Sequence, residues 1–184
     1  TQMKNRVMVL CPTRDRPAHL VRFVESVLST SQAAVRIYID DDQRELYRDA
    51  IRCMPEELGR VWIHYGPRAG PVESANMLAC NTEAGAYGYV PDDCTFTVND
   101  WDKWMLDQIK ELPGGVGCVS PAHNLGGHID IPFVSGEWFK TLKWVCYPAL
   151  YHGSWQVITG VLGECVGIKK AKPHECFIRH ENIE

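Results

Sequence analysis

The chain has no apolar run of the roughly 20 residues that a membrane-spanning helix needs. Its first residues, Thr1 to Arg6, lack the apolar stretch of a secretory signal. Both absences predict a soluble intracellular protein. It has no excess of positive charge: the net charge is −4, which argues against binding to nucleic acid through phosphate neutralisation alone. It has eight cysteines but no CxxC pair, so neither a zinc knuckle nor a thioredoxin-like centre is expected. Three of the cysteines, Cys11, Cys118 and Cys146, sit inside the apolar runs VMVLCP, GVGCVS and WVCYP. These read as buried free thiols in a reducing compartment. A Walker A loop and a GxGxxG turn are both missing, which removes the usual P-loop and dinucleotide fingerprints. No repeat, low-complexity tract or block of like charge divides the chain.

What is present is an ordinary globular balance, 45% hydrophobic and 23% charged over 184 residues, enough for one domain with a real core. The first half alternates in character. Val7–Cys11, Val35–Ile39, Val61–Tyr65 and Tyr87–Val90 are short apolar runs that read as strands. Between them, Leu20, Phe23, Val24 and Val27 recur at helical spacing after Pro17. Leu46, Ala50 and Ile51 mark a second helix. Val72, Ala75, Leu78 and Ala79 mark a third, opened by Pro71. Strands alternating with helices predict βαβ units and a mostly parallel sheet. In the second half, helices are expected over Trp101–Leu112 and Glu137–Leu142, and over Trp155–Leu162 with a break at Gly160. Strands are expected at Val116–Val119, Ile131–Val134 and Cys176–Arg179, and a loop at Ser120–Asp130.

Ligands of open α/β sheets bind beyond the carboxyl ends of the strands. The segments at those places are Pro12-Thr13-Arg14-Asp15-Arg16, then Asp40-Asp41-Asp42, then the turn containing Arg68, then Asp92-Asp93. Acids there suit ribose hydroxyls or a divalent cation, and arginines suit phosphate.

The succession VMVLCPTRDRPAHLVRFVESV, IYIDDD, GPRAGPVESANMLA and YGYVPDDCTFTVNDWD resembles the nucleotide-binding half of GT-A glycosyltransferases, and is similar to the large inverting family of bacterial and phage enzymes. The resemblance covers about residues 6–110, leaving about 111–184 as the acceptor-binding half of a single domain spanning 1–184. It implies an α/β GT-A (Rossmann-like) fold, a mostly parallel sheet flanked by helices. It implies that Pro12, Thr13, Arg14 and Arg16 line the nucleotide pocket, that Asp40 bonds the base, commonly uracil, and that Arg68 faces the base or diphosphate. Asn76 would fix the pocket wall. Asp92-Asp93 stands as the DxD-type motif, with Asp92 toward the ribose and Asp93 binding Mn2+ or Mg2+. His180 matches a histidine that ligates the metal in some relatives, and Trp101-Asp102 matches a WD pair that follows the motif.

Two departures matter. Cys94 stands where many relatives carry a third acid or another polar residue. Near Tyr151–Trp155 many relatives carry an acid that deprotonates the acceptor, and here there is none; His152 is the nearest basic group, with Glu137 the competing general base. The aromatics Trp138, Phe139, Trp144, Tyr147, Tyr151 and Trp155 suit either a stacking acceptor site or a packed core. His123, Asn124 and His128 suit a lid. The expected activity is metal-dependent transfer of a sugar from a nucleotide-sugar donor, a UDP-sugar, to a hydroxyl acceptor. That acceptor is a glycan, a small molecule or a hydroxylated DNA base, the last in the case of a phage enzyme. The expected place is the cytoplasm of a bacterial or phage-infected cell, with no membrane partner. The alternatives are a nucleotidyltransferase, against which the glycine-poor PTRDRP loop counts, and a non-catalytic nucleotide-sugar-binding module.

Overall fold

The computed structural model describes residues 5–54, 59–124, 131–150 and 155–181. In chain order the elements are β1 (Val7–Thr13), α1 (Pro17–Thr30), β2 (Ala34–Asp40), α2 (Arg44–Cys53), β3 (Val61–Gly66), α3 (Pro71–Cys80), β4 (Ala86–Tyr89), β5 (Cys94–Phe96), α4 (Trp101–Lys110), β6 (Cys118–Ser120), β7 (Ala122–His123), β8 (Phe133–Ser135), α5 (Gly136–Leu142), α6 (Trp155–Val166), β9 (Ile168–Lys170) and β10 (Phe177–His180). A seven-stranded sheet runs β3-β2-β1-β4-β8-β6-β9, and a three-stranded sheet runs β5-β10-β7. The first four strands of the large sheet are parallel. β8 is antiparallel to both β4 and β6, while β9 is parallel to β6.

β1 is buried on both faces because helices cover both sides of the sheet. Its alternation divides it between two cores. Val7, Val9 and Cys11 pack with Leu20, Phe23, Val24 and Val27 of α1. Met8 and Leu10 pack with Val72, Ala75 and Leu78 of α3. Proline opens both helices, where its fixed φ suits the first turn and its missing N–H is not needed. The thiols expected to be buried, Cys11, Cys118 and Cys146, are buried; Cys53, Cys80 and Cys165 are exposed.

Several expectations need correction. α2 buries Tyr47 and leaves Leu46 49% exposed, because the polar end of Tyr47 finds partners at the site below. α6 continues through Gly160 to Val166. A single helical glycine costs about 1 kcal/mol, too little to break a helix that packs on β6 and β9. The loop expected at Ser120–Asp130 contains β7, which pairs with β10. β5, β7 and β9 have two or three residues each, too few for an alternation pattern to show. No helix among the described residues is long and apolar enough to cross a membrane.

Candidate active site

The carboxyl ends of β1 to β4 open on a cleft of about 270 Å3. Its lining includes Pro12, Thr13, Arg14, Arg16, Asp40 and Arg68, all expected there, together with Tyr38, Ala69, Pro71, Ser74 and Tyr89. β2 is tied to the turn after β3 by the Tyr38 hydroxyl, which donates to the Pro67 carbonyl at 2.9 Å. Gly66 permits this approach, since a Cβ there would lie 2.3 Å from the Tyr38 hydroxyl oxygen. The Ala69 amide donates to Asp40 at 3.3 Å.

The two arginines of the first loop point to different acids. Between them Asp15 adopts a left-handed conformation, φ 61°, which aspartate tolerates better than most residues. Its amide donates to the Gln43 side chain at 3.1 Å. Arg14 reaches Asp40 at 2.6 Å and grips Asp42 through both terminal nitrogens, at 2.9 and 2.7 Å. That grip lowers the Asp42 pKa. Arg16 sits 2.6 Å from Asp92 and donates to Asp93 at 2.9 Å. The contact with Asp92 has the distance of an ion pair but not hydrogen-bond geometry, so that Oδ1 atom keeps an unmet acceptor.

Tyr47 organises this corner and was not anticipated. Thr13 commits its hydroxyl proton to Asp92, so Tyr47 donates to Thr13 at 2.7 Å and accepts from the Arg16 amide at 3.0 Å. A tyrosine on the buried face of an otherwise polar helix was the one available signal, because a buried phenol needs a partner.

Asp92 is 1% exposed. Burial raises its pKa above the ordinary 3.8, against the opposing pull of the Thr13 hydrogen bond and the Arg16 charge. The folded chain therefore keeps a proton at pH values where the unfolded chain has released it. The stability this contributes is complete below 3.8 and is lost as pH rises through the folded value. Asp92→Asn cannot titrate, so its stability relative to wild type should climb as pH is raised from about 4 to 7. Urea midpoints across that range measure the gap; a gap independent of pH would refute the raised pKa.

Beyond Asp92 the chain enters β5, and β10 returns antiparallel beside it with His180 opposite Cys94. This pairing explains why a C-terminal histidine belongs to a site read mainly from the first half. The Glu181 amide donates to the Asp93 carbonyl at 2.8 Å. Asn124 clasps the His180 backbone on both sides, accepting from its amide at 2.9 Å and donating to its carbonyl at 3.1 Å. Asn124 thus braces β10, and His123 lies in β7; His128 lies outside the described residues. The donor atoms of Asp93, Cys94 and His180 all fall within 4.8 Å of one another. A carboxylate, a sulfur and an imidazole at that spacing fit a divalent cation. Burial pushes the Cys94 thiol well above its ordinary pKa.

The structure does not bring Glu137 to the cleft. β8 is antiparallel to β4, with Ser135 opposite Ala86, so the end of β8 lies at the amino edge of the parallel strands. Glu137, just beyond it, is about half exposed and pairs with Lys140. Glu137 was expected from its place in the acceptor-binding half, and the reversed direction of β8 carries it away from the cleft. His152 lies outside the described residues.

Asn76 ties α3 to the segment at Val145-Cys146 and is not among the residues lining the cleft. It donates to the Cys146 carbonyl at 2.7 Å and accepts from the amides of Val145 and Cys146 at 2.8 and 3.0 Å. Trp138 and Phe139 are core residues, 1% and 9% exposed, and Trp144 packs edge-on against Trp138. Tyr151 lies outside the described residues.

No protein-family model matches the chain, and no curated protein does. Solved structures do. The S. aureus protein TarS, residues 1–349 in complex with UDP, superposes with a TM-score of 0.67 at 12% identity, over 95% of this chain and 60% of that one. The mannosyltransferase PcManGT from Pyrobaculum calidifontis, in complex with GDP-Man and Mn2+, gives 0.67 at 12% identity, over 94% of this chain and 56% of that one. GalNAc-T7 with UDP, GalNAc and Mn2+ gives 0.68 at 12% identity, over 95% and 43%. The chain thus spans less than two thirds of each of these structures. With its mixed sheet, its helices on both faces and its acids at the carboxyl edge, the chain has the GT-A glycosyltransferase fold.

Proposed function

We propose that this chain transfers a sugar from a nucleoside-diphosphate sugar, with uracil as the preferred base, to a hydroxyl acceptor. The observation that supports this best is the gathering of the Pro12–Arg16 loop, Asp40, Asp92-Asp93 and His180 at one edge of the sheet. Asp40 and Arg68 line the cleft, and in this reading Asp40 bonds the base and Arg68 faces the base or diphosphate. Arg16, already paired with two acids, is placed to exchange one of them for a phosphate oxygen. Asp93 and His180 would hold a divalent cation, which would neutralise charge on the departing diphosphate. His152 is the assigned base on the acceptor side, on its place in the sequence. The acceptor is a glycan, a small molecule or, for a phage enzyme, a hydroxylated DNA base.

Ligand that binds only the folded state raises the melting temperature. UDP with a divalent cation should raise it more than GDP, ADP or CDP, and Asp40→Ala should erase the difference. Equal shifts for all four would sink the uracil assignment. Release of UDP from a panel of UDP-sugars then separates an enzyme from a binding module, which would show the shift without turnover. A nucleotidyltransferase would instead release pyrophosphate from a nucleoside triphosphate.

A further inference from the structure

We propose that Cys94 is a metal ligand, and that Asp93, Cys94 and His180 form a carboxylate–thiolate–imidazole site selective for a borderline-soft ion, Zn2+ or Co2+, over Mg2+. The inference rests on the reading of this corner as the cation site and names the class of ion it takes.

Three features support it. The first is the donor set itself. Mg2+ demands near-octahedral oxygen coordination, and a cysteine in place of an acid removes one hard oxygen and offers a soft sulfur. The second is spacing. Zinc bonds of about 2.3 Å to sulfur and about 2.0–2.1 Å to nitrogen or oxygen give tetrahedral edges of about 3.5 Å. Cys94 Sγ lies 3.5 and 3.6 Å from the two ring nitrogens of His180 and 3.8 Å from Asp93 Oδ1. The near-equal distances show the ring facing the sulfur broadly, so a turn about its Cβ–Cγ bond aims either nitrogen at a shared ion. The third is access. Cys94 is fully buried while Asp93 and His180 are partly exposed, so the sulfur forms a floor and the other two a rim. Arg16 holds Asp93 Oδ2, which leaves Oδ1, the oxygen nearer the sulfur, for the ion. Three protein ligands and one open position is the arrangement of catalytic rather than structural zinc. Binding releases one proton, from the thiol to solvent, because a coordinating thiol is deprotonated.

Cobalt(II) provides the test because a thiolate ligand announces itself by a sulfur-to-metal charge-transfer band in the near ultraviolet. Metal-free full-length protein titrated with Co2+ should develop that band together with visible bands of a four-coordinate ion. Zn2+ should abolish both, and a large excess of Mg2+ should leave both in place. Cys94→Ser should lose the ultraviolet band. His180→Ala should weaken Zn2+ binding by at least about 100-fold, since even outer-shell partners of a metal are worth 10–100-fold. A variant with serine at the exposed cysteines Cys53, Cys80 and Cys165 should keep the band, and it decides the matter if Cys94→Ser fails to fold. Absence of Co2+ binding, Co2+ bound without the ultraviolet band, a band that survives Cys94→Ser, or displacement by Mg2+ overturns the proposal. None of these readouts involves a sugar nucleotide. A site that passes in a protein that neither binds UDP nor turns over a UDP-sugar would overturn the transferase reading alone.

Discussion

Asp93→Ala is expected to lower sugar transfer about 1,000-fold, equivalent to about 4 kcal/mol of transition-state stabilisation, while leaving the protein folded. Asp93 serves two neighbours with its two oxygens: Oδ2 accepts from Arg16 at 2.9 Å, and Oδ1 faces Cys94 and the cation corner. In the proposed reading, losing it would remove a cation ligand where negative charge develops on the departing diphosphate. The fold should survive because Arg16 keeps its 2.6 Å ion pair with buried Asp92, so no charge is left stranded. The contrast to measure is UDP release at saturating UDP-sugar against the urea midpoint. A loss below about tenfold in rate would place the cation elsewhere, or remove it from the chemistry.

Trp101→Ala should instead unfold the protein readily, by about 3–5 kcal/mol, a large share of the 5–15 kcal/mol that a domain typically has. The Trp101-Asp102 pair that follows the Asp92-Asp93 motif has a structural task in this chain. Trp101 is fully buried. It stacks on Phe96 of β5 with ring centroids 4.0 Å apart and meets Phe133 of β8 at 5.9 Å, so it joins the small sheet to the large one. Its indole N–H donates to Thr30 at 3.0 Å. The neighbouring Asp102 accepts from the Gln32 amide at 3.0 Å and pins the turn between α1 and β2. Trp101→Phe retains most of the apolar area and loses the hydrogen bond, so it should cost only about 1–2 kcal/mol. Urea denaturation of both variants measures the difference. An alanine variant within about 1 kcal/mol of wild type would show that Trp101 does not hold β5, and with it Cys94, in place.

Local sequence decided the first half of this protein. A strand such as β1, buried on both faces, must be apolar throughout, and a helix such as α1 or α3 laid on one face of the sheet must show apolar residues every three or four positions. Both patterns are written within a few consecutive residues. Parallel strands also share one carboxyl edge, so the short segments after β1, β2, β3 and β4 were bound to meet. Pro12, Thr13, Arg14, Arg16, Asp40 and Arg68 line one cleft at that edge.

Tertiary structure alone decided the remainder, because the information lay in pairings between distant segments. β5 is too short to signal itself, and the strand expected at Cys176–Arg179 names no partner, yet the antiparallel register of β5 and β10 sets His180 against Cys94, 86 positions away in the chain. Helical spacing points to Leu46, Ala50 and Ile51, yet Tyr47 is the residue buried, because the hydroxyl of Thr13 and the amide of Arg16 give its phenol partners. The position of Glu137 shows that strand direction is not a local property. β8 pairs in reverse with β4 and delivers the residues after it to the amino edge, away from the cleft. Composition and periodicity report which face of an element is buried, whereas direction, register and the meeting of side chains follow only when the elements close on one another.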